Sequence, residues 1–194
     1  MKVVTILGSP RKNSTSTAIA ERFNALAKAE GATVSTYFLN EMDYQGCQGC
    51  MACKTVREDC ALKDGLTPLF EEMHRADVVV MATPVYFGDV SAQFKGFIDR
   101  VYSLAKPDFP TNPEPSRLPK GKKSLFIISQ GASAQEHTEI VDRYDRYFTL
   151  AGFEERRVIR DCDRVDPMVI EPSKDSLSAV ENAARDFTQA MATA

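Results

Sequence analysis

The chain has 194 residues, 43% hydrophobic and 26% charged, with a formal net charge of −3 and a pI near 5.5. That composition describes a soluble globular protein with enough chain for one core that needs no disulfides, and without a basic stripe it argues against a nucleic-acid partner. The opening MKVVTILGSP is too short for a signal peptide and lacks a small-residue cleavage site. No run of about 18 apolar residues occurs, so no membrane span is expected. A cytoplasmic location follows as the expectation, and thiols there stay reduced.

In chain order, VVTIL (3–7) reads as a first strand, β-branched and closed by Gly8. A helix follows, with Ile19, Phe23, Leu26 and Ala27 on one face. TVSTYFL (33–39) is a second strand, and after it comes the cysteine-rich stretch GCQGCMACKTVREDC (46–60). Leu66, Leu69, Phe70 and Met73 share a helical face. DVVVMA (77–82) is a third strand, uniformly apolar as expected of one covered on both sides. Phe94, Phe97, Ile98, Val101 and Tyr102 mark a third helix. The Pro-rich stretch KPDFPTNPEPSRLPKGK (106–122) is an excursion before a fourth strand, SLFIIS (124–129). Ile140, Tyr144, Tyr147 and Phe148 form a fourth helical stripe. The more polar GFEERRVI (152–159) is a fifth strand at an edge, and Leu177, Val180, Ala184, Phe187 and Met191 form a last helix. Five βα units predict one domain over 1–194, a doubly wound five-stranded parallel sheet of order 2-1-3-4-5 with helices on both faces.

In such a sheet ligands sit beyond the carboxyl ends of the strands, where the winding reverses between the first and third. GSPRKNSTST (8–17) lies there and opens a helix. A helix N-terminus presents free N–H groups, and the hydroxyls of Ser9, Ser14, Thr15, Ser16 and Thr17 with the Arg11 guanidinium would complete a phosphate cradle. An ordinary capped connection is the alternative, and the stretch matches neither G-x-G-x-x-G nor G-x-x-x-x-G-K-[ST]. After the third strand, PVYFG (84–88) can lie against a flat ring, with Gly88 allowing close backbone approach. Phosphate plus planar heterocycle describes a mononucleotide such as FMN. His74 and His137 read as surface or capping residues, with His137 near enough to the third loop to tune a flavin. Asp99-Arg100 reads as a solvated or interface charge pair, and Cys162 as a lone structural cysteine.

GSPRKNSTS together with ADVVVMATPVYFGDVSAQFKGFIDR resembles the flavodoxin-like NADPH-dependent FMN reductases over roughly residues 1 to 150, and the compact cysteine run resembles the iron–sulfur flavoproteins among them. The resemblance implies an FMN phosphate held by Ser9, Arg11, Asn13, Ser14, Thr15 and Ser16. It implies ribityl and ring contacts from Pro84, Val85, Tyr86, Phe87, Gly88 and Asp89, and a third contact loop, SQGASAQ (129–135), contributing Ser129, Gln130 and Gly131. Many relatives carry Gly-Asn where this chain has Ser14-Thr15.

The cysteines are spaced C-x2-C-x2-C-x6-C, at Cys47, Cys50, Cys53 and Cys60. Four thiolates can hold a 4Fe–4S cube, and Gly46, Gly49 and Ala52 leave room for it. Bacterial ferredoxins share the first three spacings, but there a Pro follows the fourth Cys, and here Ala61 does. Zinc, a redox dithiol and small buried cysteines stay open; structural zinc sites use two separated pairs rather than three cysteines in seven residues. The resemblance assigns all four to one cluster. It further implies subunits that associate as a homodimer or homotetramer. The expected function is an FMN- and cluster-bearing oxidoreductase passing electrons between a ferredoxin-like donor and a small-molecule acceptor. The chemistry then sits on the flavin, and no side chain is assigned as catalytic. An NAD(P)H-dependent FMN or quinone reductase without a cluster, and a carrier module with no substrate of its own, are the alternatives. The cysteine loop is expected at the same end of the sheet as the FMN loops.

Overall fold

Strands and helices alternate along the chain as β1 (Lys2–Leu7), α1 (Thr15–Ala29), β2 (Thr33–Phe38), α2 (Ala52–Thr55), α3 (Leu66–Arg75), β3 (Val78–Tyr86), β4 (Asp89–Val90), α4 (Ala92–Val101), β5 (Lys123–Ser129), α5 (Glu139–Ala151), β6 (Glu155–Asp161) and α6 (Lys174–Ala192). These elements are those of a computed structural model describing residues 1–166 and 168–192. The sheet runs β2-β1-β3-β5-β6, all parallel, with β4 paired antiparallel to β3.

The two-residue alternation of each strand splits the core between two faces. Val4, Ile6, Val79, Met81, Phe126 and Ile128 point to the layer of α3, α4 and α5, where Phe94 stacks on Phe126 at 5.7 Å. Val3, Leu7, Val78, Val80, Leu125 and Ile127 point to α1 and α6, where Phe23 meets Phe187 edge-on at 6.1 Å. The expected helical stripes lie in these layers, except that Tyr147 is exposed and Leu26, Tyr102 and Leu177 are only partly covered. The side chain of Met191 lies outside the described residues.

The expected five strands become six. The third strand does not stop at Ala82 but continues to Tyr86 and folds back into β4. Phe87 (φ 50°) and Gly88 (φ 84°) both occupy the left-handed region at the turn, the combination of a type I′ hairpin. Phenylalanine at such a position gives no turn signal in the sequence. The last strand also starts later than expected. Gly152, at φ 96°, caps α5, and Phe153 is buried before Glu155 opens β6. No helix among the described residues is long and apolar enough to cross a membrane.

Candidate functional site

Between β1 and β3 the winding reverses, and there Gly8 donates its N–H to the Ala82 carbonyl at 2.7 Å. A Cβ on Gly8 would stand 2.7 Å from Cβ of Phe94 and 3.2 Å from the Ala82 oxygen, so only glycine fits. Ser14 caps α1, its Oγ accepting from Thr17 N at 3.3 Å and donating to Thr17 Oγ1 at 2.9 Å. Ser9, Thr15 and Ser16 are buried, and Ser9 Oγ accepts from Arg11 N at 3.1 Å. Arg11 and Asn13 stand on the exposed rim. The resulting loop holds buried hydroxyls against a helix N-terminus, the donor set a phosphate needs.

Two residues outside the sequence-based set fasten this loop. Ser91 Oγ donates to Gly8 O at 2.6 Å, and as the cap of α4 it accepts from Phe94 N at 3.2 Å. Thr83 Oγ1 accepts from Ser91 N at 3.2 Å. Asn40 adds an outer brace, donating to Pro10 O at 3.4 Å and accepting from Gln93 at 3.0 Å. A Ser just before an apolar helical stripe was the available cap signal for Ser91; its long-range bond was not legible.

The β3–β4 hairpin carries Pro84, Val85, Tyr86, Phe87, Gly88 and Asp89 beside that loop. Pro84 is buried, Val85 is partly covered, Tyr86 is 43% exposed and Phe87 is fully exposed at the tip. Asp89 is engaged by α5. Its carboxylate accepts from Arg143 at 2.7 Å and from the Tyr144 hydroxyl at 3.0 Å, tying the hairpin to α5. Burial, then the Asp89 charge, drives the Tyr144 phenol far above its ordinary value. The third loop follows β5. Ser129 and Gln130 are buried, but the Gln130 amide turns inward, donating to Ser133 O at 2.7 Å and accepting from Arg160 at 3.1 Å. Gln130 thus shapes the loop, and its backbone does the same, its N–H donating to Asp161 O at 2.9 Å and its carbonyl accepting from Arg164 N at 3.0 Å. His137, at φ 57°, packs 3.5 Å from the Cβ position of Gly88, so the segment just past the third loop touches the hairpin.

The cysteine stretch departs from its expected position. It leaves the carboxyl end of the sheet and follows α4 to the helix's far end. Tyr44 OH bonds Gln93 O at 2.5 Å near the start of α4, Arg100 bonds Gln45 O near its end, and Lys54 Nζ reaches Tyr102 O at 2.6 Å beyond it. At about 1.5 Å per residue, the ten residues of α4 separate the two sites by about 15 Å. The cause is the buried Arg100, 1% exposed, which pairs with Asp64 at 2.7 Å and draws both flanks of the stretch onto α4. The expected Asp99–Arg100 surface pair is therefore corrected: Asp99 pairs with Lys95.

Cys47, Cys50, Cys53 and Cys60 all line one cavity of about 80 Å³. All four are free thiols; Cys47 and Cys50 are exposed and the other two half-buried. None is the buried small residue that a structural role predicts. Gly49 (φ 63°) and Met51 (φ 58°) bend the backbone around Cys50, and Gly49 N–H donates to Cys47 Sγ at 3.4 Å. Among the described residues, no three His, Cys, Asp or Glu side chains stand close enough to share one metal ion. Lys54, with its pKa lowered by burial against the pull of the Cys53 and Cys47 thiols, and Arg117, donating to Cys53 O at 3.0 Å, supply positive charge beside them. Cys162 stands apart, and burial raises its pKa.

The sheet topology and the three loops at its switch point define a flavodoxin-like, mononucleotide-binding protein. The chain belongs to the NADPH-dependent FMN reductase family, whose model matches residues 1–145. An iron-sulfur flavoprotein of Methanosarcina thermophila is 33% identical over 109 residues, 56% of this chain and 56% of that one. An iron-sulfur flavoprotein of Methanocaldococcus jannaschii is 38% identical over 101 residues, 52% and 51% of the two chains. The chain spans about half the length of the curated relatives it matches. In fold it is similar to an NAD(P)H:quinone oxidoreductase from Methanothermobacter marburgensis, with a TM-score of 0.70 at 17% identity over 98% of this chain and 96% of that one.

Proposed function

We propose that the protein is a flavin-dependent oxidoreductase holding FMN at the switch point and a 4Fe–4S cluster on Cys47, Cys50, Cys53 and Cys60. Four free thiols lining a single cavity, in a chain that also builds a hydroxyl-rich phosphate loop, are the observation that carries the proposal. The N–H groups opening α1, with Ser9, Thr15 and Ser16 and the rim residues Arg11 and Asn13, hold the phosphate. Ser14 holds the helix start. Pro84 to Gly88 and the loop at Ser129, Gln130 and Gly131 lie along the ribityl chain and ring. FMN supplies one- and two-electron chemistry and a cluster supplies single-electron transfer, so the protein's part is position and electrostatics. Lys54, Arg100 and Arg117 offset the negative charge of four thiolates.

The donor is a ferredoxin-like protein and the acceptor a small molecule. The span of α4 between the two sites favours electron passage between cluster and flavin across a homodimer or homotetramer contact. NAD(P)H as donor, with no cluster, is the second reading, favoured by the family's description and by the named activity of the quinone oxidoreductase it resembles in fold.

Anaerobic mixing distinguishes these. Bleaching of flavin absorbance by reduced ferredoxin, dependent on iron, supports the first reading. Bleaching by NAD(P)H in iron-free protein supports the second, and no bleaching by either contradicts both.

A further inference from the structure

Arg100 closes α4 with a guanidinium that carries five N–H donors. Four have acceptors: Nη1 donates to Gln45 O at 2.8 Å and Asp64 Oδ2 at 2.7 Å, and Nη2 to Leu62 O and Asp64 Oδ1, both at 3.2 Å. The fifth, on Nε, is buried and has no acceptor among the described residues. Buried donors without partners are rare, and each one asks what group completes it. Arg100 also lines the cavity shared by Cys47, Cys50, Cys53 and Cys60, and with Cys60 and Leu62 it lines a second, adjoining one.

We propose that the Nε–H of Arg100 is a hydrogen-bond donor to the thiolate sulfur of Cys60, making Arg100 a positioning residue that both fastens the cysteine loop and sets the electronics of the cluster it holds. This rests on the proposed four-thiolate cluster. The geometry gives one side chain two tasks. Its Nη groups bind the loop's flanks at Gln45 and Leu62, and its Nε is left to meet a ligand within it. A hydrogen bond and a positive charge at a ligand sulfur stabilise the reduced, more negative cluster and raise its potential. The arrangement also gives Cys60, which stands beyond the six-residue gap, a fixed direction toward the other three thiols.

The test is pulsed EPR on the reduced, cluster-loaded protein grown with ¹⁵N-arginine, beside an unlabelled sample and an R100K variant. Lysine keeps the charge but has no nitrogen at the Nε position. A ¹⁵N coupling to the cluster signal in the labelled protein, lost in R100K together with a shift of the cluster midpoint to lower potential, is expected. A cluster signal with no coupled arginine nitrogen, or with a coupling that persists in R100K, overturns the inference while leaving the cluster standing. Protein that forms no cluster overturns the inference and the underlying reading together. Should R100K fail to fold, the labelled parent protein decides alone.

Discussion

Ser91 Oγ donates to the backbone carbonyl of Gly8 at 2.6 Å, across 83 residues of sequence. The bond joins the residue that follows β1 to the cap of α4. Through Thr83 it also holds the carboxyl end of β3. The loop that opens α1 and the β3–β4 hairpin are therefore one braced unit, and changes to the brace reach both.

Ser91→Ala removes the cap of α4 and leaves the Gly8 carbonyl buried without its donor. Loss of a cap costs about 1 kcal/mol and an unsatisfied buried group about 1–3, so a destabilisation of about 2–4 kcal/mol is expected in urea unfolding. FMN binding should weaken by about tenfold in titration calorimetry, equivalent to about 1.4 kcal/mol.

Gly8→Ala forces a methyl group to within 2.7 Å of Cβ of Phe94, an atom fixed by the helix backbone. Overpacking of this kind costs about 1–3 kcal/mol. The loop must move to relieve it, so flavin content after purification falls more than stability does. An Ala variant with full FMN content would show that the close approach has no bearing on the site.

Asp64 accepts from Arg100 and from the backbone N–H groups of Gln45 and Leu66. Burial alone would raise its pKa, but these bonds outweigh it and hold the carboxyl below its ordinary value. A depressed carboxyl contributes stability above its unfolded pKa of about 3.9, and that contribution is lost as pH falls through the lower folded value. Asp64→Asn leaves a buried guanidinium uncompensated, at a cost of about 3–5 kcal/mol near neutrality. The variant should also show a shallower loss of stability below about pH 4, read from urea midpoints across pH. Asp59→Asn, at an ion pair with Lys63 whose side chains are half exposed, should change stability by less than about 1 kcal/mol.

Cys50→Ser removes one thiol from the wall of the shared cavity, about one length of α4 from the flavin loops. Iron should be lost while FMN stays at one per chain, measured by metal analysis and flavin absorbance on the same sample. Loss of FMN as well would mean that the cysteine loop is needed to hold the other site.

Much of the fold was readable because it depends on local periodicity. The apolar runs of β1, β3 and β5 and the stripes of α1, α3 and α4 carry their burial in their spacing. β4 was not readable, being two residues long and reached through a left-handed Phe87 rather than a glycine pair. The hydroxyl-rich loop that opens α1 was visible in the sequence, but the bonds that brace it, from Ser91 and Thr83, are long-range and leave no local pattern. Gln130 and Asp89 were read as cofactor contacts, yet their side chains bond to the scaffold. Arg100 was least legible of all. In the sequence it neighbours Asp99, and only tertiary packing pairs it with Asp64 and aims it into the cysteine loop.

Iron, acid-labile sulfide and flavin content of protein purified without oxygen test the central claim most directly. About four irons and four sulfides per FMN are expected of a single four-thiolate cluster beside one flavin. FMN with zinc, or with no metal, would contradict the cluster, and protein with no flavin at all would contradict the whole account.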